Sequence, residues 1–178
     1  MKVYATGNQQ FGRIGAIKKY NRPFKNVEEM NNCMIDSWNN IVNEGDSVYV
    51  LGNLFWDPLT ASIGGFSILV ITLSNGNIFL MKGDYDRATQ DVENLHENKL
   101  NIITSEIHVD DVNKICFSHW PLEEWKNKAK GYHSITAFPG SKYKSDHKKL
   151  RINVNCDLWS FRPIEITSVK SLFEELVN

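Results

Sequence analysis

The chain has 178 residues, 42% hydrophobic and 11% aromatic, enough to bury a full core in one domain. A formal net charge of −1 and a pI near 6.5 exclude the global basic field that would advertise nucleic acid or an anionic membrane. The longest apolar run, "FSILVITL", has eight residues and is too short to span a bilayer, and "MKVYATG" lacks the apolar segment of a secretory leader, so the cytoplasm is the expected location.

Lys2 to Thr6 alternates and then meets Gly7, the pattern of an opening strand. Phe11 to Tyr20 is expected as a short helix, broken by "NRPF", where Pro23 disfavours helical geometry at Arg22. Asn26 can cap a helix over Val27 to Val42, with Met30, Met34, Trp38 and Ile41 on one face. "EGDSVYVLGN" reads as turn, strand and glycine. Residues 58–76 stay open between a strand, by β-branched content, and a crossover helix, by position. Ile78 to Lys82 predicts a strand and Asp91 to Lys99 a helix. Leu100 to Val109 and Lys114 to Ser118 predict two strands joined by "DDVN". Residues 126–150 read as loop, "RINVNCDL" as a late strand, and Ile166 to Val177 as a closing amphipathic helix. Cys33, Cys116 and Cys156 are too scattered for a disulfide framework and are expected as small core residues.

Alternating strands and helices indicate an α/β domain whose functional groups lie beyond the strand ends. Four loops stand out there: "TGNQQFG", "LGNLFW", "KGDYDR" and "FSHWP". Together with "YNRPF…VEEMNN…WNNIV" and "RINVNCDLWSFRPIEI", they occur in the order found in the calcineurin-like metallophosphoesterases, in the short form common in bacteria and phages, and the chain resembles that family over nearly its whole length. The resemblance implies a layered α/β sandwich of the calcineurin-like metallophosphoesterase type. It also implies a site for two divalent metals roughly 3.5–4 Å apart that activate water on a phosphoester.

The residues depart from that pattern at almost every implied ligand. Asn8 and Gln10 stand where the resemblance implies an aspartate and a histidine, and Asn53 replaces the bridging aspartate. Asp84 replaces the asparagine ligand, Tyr85 the catalytic histidine, and the last Gly-His-x-His motif falls on "TAFPG" with Thr136, Ala137 and Pro139. His119 alone is unchanged. Asn8 and Asn53 keep the carboxylate outline without its charge, which suits a site without cations, where clustered carboxylates would repel. The expectation is therefore a site with no metal, no cofactor and no catalytic residue.

Such a site is expected to bind and sequester a phosphate-containing small molecule, a nucleotide by preference, rather than cleave it. Asn8, Gln10, Arg13, Asn53, Asp84, Tyr85, His119, Trp120 and His133 are the candidate ligand residues. The backbone at Gly7, Gly12 and Gly83 can nest phosphate oxygens, Arg13 can fork onto phosphate, and Tyr85, Phe55, Trp56 and Trp120 can stack a base. The plainer expectation is that the amides satisfy one another and the aromatic rings fill space. Asp86 is read as orienting a neighbouring loop; Asn153, Arg162 and Pro163 as holding the fold; His96 and His108 as surface residues. The basic run from Lys142 to Arg151 reads as a solvated loop that can steer anions. In a phage, the protein would be a sponge for a host defence signal. No membrane partner and no sequence-specific nucleic acid are expected, and self-association stays open. Two other readings stand beside this one. The first is a protein-interaction scaffold with a patch around Trp56, Trp125 or Trp159; the second is a weak single-metal phosphodiesterase using His119, Asp84 and Asp86.

Overall fold

The computed structural model describes residues 1–56, 72–73, 75–86, 99–139, 145–146 and 150–166. Most of the segment read as strand or crossover helix, the body of the two helices placed before residue 99 and after residue 166, Arg87, His96 and most of the basic run lie outside the described residues.

The described strands form two sheets. β1 (Val3–Thr6), β2 (Ser47–Leu51), β3 (Asn77–Met81) and β4 (Leu100–Ile103) pair in parallel in the order β4-β3-β2-β1, and β9 (Ile164–Glu165) closes that sheet antiparallel to β1. β6 (Ile115–Ser118), β7 (His133–Thr136) and β8 (Arg151–Asn153) are parallel neighbours in the second sheet, with β5 (Ile107–Asp110) antiparallel on its edge.

The side-chain alternation of each strand fixes the layering. Tyr4, Val48, Val50, Ile78, Leu80 and Leu100 face α1 (Ile14–Lys19) and α2 (Val27–Ile41), against Ala16, Met30, Met34 and Trp38. Ala5, Leu51 and Met81, on the opposite face, pack on Ile115, Phe117, Ile135 and Ile152 of the second sheet. Trp125 and Tyr132 cover the second sheet's outer face at Cys116. The first sheet is thus buried on both sides, which is why its strands read as near-continuous apolar runs. α2 forms where expected: Asn26 Oδ1 accepts from Glu29 N at 2.8 Å, and Met30, Met34 and Trp38 are buried at three- and four-residue spacing. Truncating Trp38 to alanine would cost about 3–5 kcal/mol. No helix among the described residues is long and apolar enough to cross a membrane.

Several expectations are corrected. Leu100 to Val109 is not one strand: the chain leaves the first sheet after Ile103 and enters the second at Ile107. The alternating pattern runs on through that corner and hides it. Residues 126–150 contain β7, an inner strand of the second sheet; only Ile135 in "HSIT" is strongly apolar, and buried Ser134 and Thr136 mask the strand signal. The late strand stops at Asn153, because Asn155 caps a 3-10 turn over Cys156–Leu158. Phe11 is outside α1; it bridges to Phe55, donating to Leu54 O at 3.0 Å. Cys33 is only partly buried, and His108 stacks on Tyr49 with ring centroids 5.5 Å apart instead of standing free at the surface. Pro163 is buried but Arg162 is exposed, so the latter has no part in the core.

Candidate functional site

Because β1, β2 and β3 run parallel, the loops leaving them share one edge of the first sheet, where α/β folds place ligands. The loops leaving β6, β7 and β8 reach the same edge. Gly7 bridges to Asn155, and its carbonyl accepts from Cys156 N at 3.0 Å. The first loop is zipped onto the second by Asn8 N to Gly52 O and Gln10 N to Asn53 O, each 2.9 Å. Asn8, Gln10 and Asn53 all sit in the left-handed region, with φ of 61°, 53° and 56°. Residues held there cost about 1–3 kcal/mol each and cluster where a site over-determines the backbone. Gly52 (φ 85°) is required for a second reason: a Cβ there would overlap His119 Nδ1.

At the centre lies a relay of side-chain amides whose polarity is fixed at both ends by the backbone. Tyr85 N donates to Asn53 Oδ1 at 3.2 Å, so that atom is the oxygen. Asn53 Nδ2 donates to Asn8 Oδ1 at 2.9 Å, and Asn8 Nδ2 donates to the carbonyl of Ala137. His119 Nδ1 lies 2.7 Å from Leu51 O, a pure acceptor, and therefore carries the hydrogen. Its Nε2 then presents a lone pair, and Asn53 Nδ2 faces it at 3.5 Å. All three side chains are buried.

This donor set does not fit the metal pair that the resemblance implies. A dinuclear centre needs a bridging carboxylate and lone pairs turned inward. Here the Asn53 amide turns N–H towards both Asn8 and His119. Asp84 is exposed. Asp86 is fully engaged elsewhere: Oδ2 accepts from Asn53 N (2.6 Å) and Gly83 N (2.8 Å), and Oδ1 from Leu54 N (2.9 Å) and Phe55 N (3.3 Å). Burial pushes the Asp86 carboxyl up from the usual carboxylate range, and the four N–H donors oppose that shift. Its work is to hold the second and third loops together, as the sequence suggested. Among the described residues, no three of His, Cys, Asp and Glu converge to hold an ion.

Beside the relay, the guanidinium of Arg13 lies 3.9 Å from the ring centroid of Trp56 and 4.9 Å from that of Tyr85, whose rings meet edge to face at 4.2 Å. Arg13 Nη1 donates to Gln10 Oε1 at 2.6 Å, and Gln10 Nε2 donates to the Tyr20 hydroxyl at 3.2 Å. On the second sheet's side, Trp120 is 53% exposed, edge-on to His119 (5.2 Å) and tilted against Phe138 (5.6 Å).

The structure thus brings together Asn8, Gln10, Arg13, Asn53, Tyr85, His119 and Trp120. It leaves Asp84 at the surface and separates His133. That histidine opens β7 opposite Ile115, the first residue of β6, whereas His119 follows the last, so His133 sits at the far end of the sheet. Sequence reasoning missed Arg22, treated only as the residue before a helix-breaking proline. Its buried guanidinium donates to Asp157 Oδ1 (2.7 Å) and Oδ2 (3.2 Å) and to the carbonyls of Gln9 and Asn8 (each 2.7 Å). It therefore holds the strained first loop from beneath. An arginine in a loop of otherwise local turn signals, with an aspartate far downstream, was the only available cue.

No protein-family model matches the chain. The chain is similar to the uncharacterized protein MJ1445 of Methanocaldococcus jannaschii, 27% identical over 175 residues that cover 98% of this chain and 92% of that one. The crystal structure of AQ665 from Aquifex aeolicus, a protein of unknown function, aligns with a TM-score of 0.70 at 15% identity, covering 96% of this chain and 98% of that one, and so shares its α/β fold.

Proposed function

We propose that the domain is a metal-free relative of the calcineurin-like metallophosphoesterases, built as their layered α/β sandwich, that binds a phosphate-containing small molecule without cleaving it. The observation that carries this reading is the polarity of the Asn53 amide: it turns N–H rather than lone pairs towards Asn8 and His119. With amides in place of carboxylates and N–H turned inward, the centre is poorly suited to the metal pair that would activate water on a phosphoester. Arg13 and the aromatic residues around it supply an anion contact and stacking faces, which favours a nucleotide-like ligand. In a phage, an abundant cytoplasmic protein of this kind would act as a sponge for a nucleotide defence signal.

Isothermal titration against linear and cyclic nucleotides, with metal analysis of the purified protein, tests the reading. Saturable binding without turnover and without bound manganese or iron is expected. Silence across the panel, or hydrolysis lost on His119→Ala, would sink it. The scaffold reading expects an apolar patch at Trp56, Trp125 or Trp159. Trp125 is buried, Trp159 donates to Asn153 O at 2.8 Å, and Trp56 lies under Arg13, so these residues lend it no support.

A further inference from the structure

We infer that Asn75 is a site of spontaneous modification: the Asn75–Gly76 step closes to a cyclic imide and reopens as aspartate or isoaspartate, and the product loosens the end of α2 from the start of β3. The pair is the chain's one Asn-Gly step. It is half-buried in the turn that leads into β3, where Asn77 N donates to Asp46 O at 2.8 Å.

The reacting atoms are open. Glycine has no side chain to screen its nitrogen from the preceding carboxamide. Among the described residues, Gly76 N–H has no acceptor and Asn75 Oδ1 has no donor. Gly76 N bonds to Asn75 Cγ and gives its proton to water. The Cγ–Nδ2 bond breaks, and the amide nitrogen takes a proton from water and leaves as ammonia. A water molecule then opens the ring at either carbonyl. One opening leaves aspartate; the other leaves isoaspartate, with the main chain routed through the side-chain carbon. The fold holds the reactive pair in place, because Gly76 has a φ of 80° and a Cβ there would lie 2.6 Å from Val42 Cγ1.

The consequence follows from what the Asn75 amide does. Asn39 lies in the last turn of α2, where carbonyls lack a partner within the helix. Asn75 Nδ2 donates to Asn39 O at 3.3 Å, and Asn39 Nδ2 donates to Thr72 O at 2.9 Å. Trp38 Nε1 adds a third bond, to Asn75 O at 3.1 Å. These bonds tie the helix end to the turn. The last turn of α2 has no basic residue to offset the negative end of the helix dipole. Deamidation replaces the Nδ2 donor with a carboxylate, which sets a negative charge against the Asn39 carbonyl and that helix end. Isoaspartate also adds one carbon to the backbone just before β3, the strand between β2 and β4.

The test is to hold the purified protein at mildly alkaline pH, folded and in urea, and to map the products by mass spectrometry with isoaspartyl methylation. In the folded protein Asn75 should convert before any other asparagine and give both products. Asn75→Asp, which mimics one product, should melt about 2–4 °C below wild type and below Asn75→Ala, which loses the donor without gaining charge. Another asparagine converting first, or Asn75 intact in the folded protein once urea has allowed it to convert, would overturn the site. Asn75→Asp melting no lower than Asn75→Ala would overturn the effect on α2.

Discussion

Arg13 and Arg22 lie nine residues apart on either side of α1, and their surroundings show how a cation paired with a carboxylate differs from one that, among the described residues, is not. Arg22 is buried, forks onto Asp157, and spends its remaining donors on the carbonyls of Asn8 and Gln9. Every direction it can act in is already taken. Arg13 is half-buried, held by two rings and one amide, and has no carboxylate partner among the described residues. The first arginine sets the shape of the loop; the second is what that shape presents.

The comparison can be broken most sharply at Arg22. Arg22→Met leaves Asp157 and two loop carbonyls without their donor, and removing one partner of such a pair is expected to destabilise the fold by about 3–5 kcal/mol. Urea denaturation measures this, and a loss below about 1 kcal/mol would remove Arg22 from its structural role. Next in size is Asn53→Asp, which sets a carboxylate oxygen against Asn8 Oδ1 and the lone pair of His119 Nε2. A loss of about 1–3 kcal/mol is expected from the broken bonds and buried charge. Added manganese should not restore it; recovery in manganese would show that the site still accepts a metal and would defeat the proposed function.

Arg13→Ala sharpens the contrast from the other side. Only two cation–π contacts and one amide bond are lost, so stability should fall by about 1–2 kcal/mol, less than for Arg22→Met, while nucleotide binding weakens. The smallest effect lies at the far end of the second sheet. Burial holds the His133 imidazole below its usual value. The unfolded chain therefore takes up the proton first. Stability is fully present above pH about 6.5 and declines as pH drops below it. His133→Gln should flatten that decline in thermal melts and leave ligand binding unchanged, since His133 is remote from the loop edge.

Local pattern made much of the fold legible. The spacing of Met30, Met34 and Trp38, the Asn26 cap and the apolar runs of β1, β2, β3 and β6 each depend on near neighbours, and each formed close to its expected bounds. The strand-end loops were also readable, because a glycine followed by polar side chains after an apolar run marks where a parallel strand ends, and most of the candidate residues on them lie near one another at that edge. That Asp86 orients a neighbouring loop was expected from the resemblance rather than from local pattern.

What the sequence alone determined, then, is most of the elements and the strand-end loops, but neither β7 nor the break between β4 and β5. The tertiary structure decided the rest, because closure across long stretches of chain carries no periodic signature. The relay joins Asn53 to Asn8 and Asn8 to Ala137, 45 and 129 residues apart, and the Arg22–Asp157 pair spans 135. β7 is a strand because its neighbours β6 and β8 pair with it, whatever its polar side chains suggest. The turn between Ile103 and Ile107 exists because two sheets must be reached. The direction of each amide in the site follows from a backbone N–H at one end and a carbonyl at the other, which only the folded chain brings within hydrogen-bond reach.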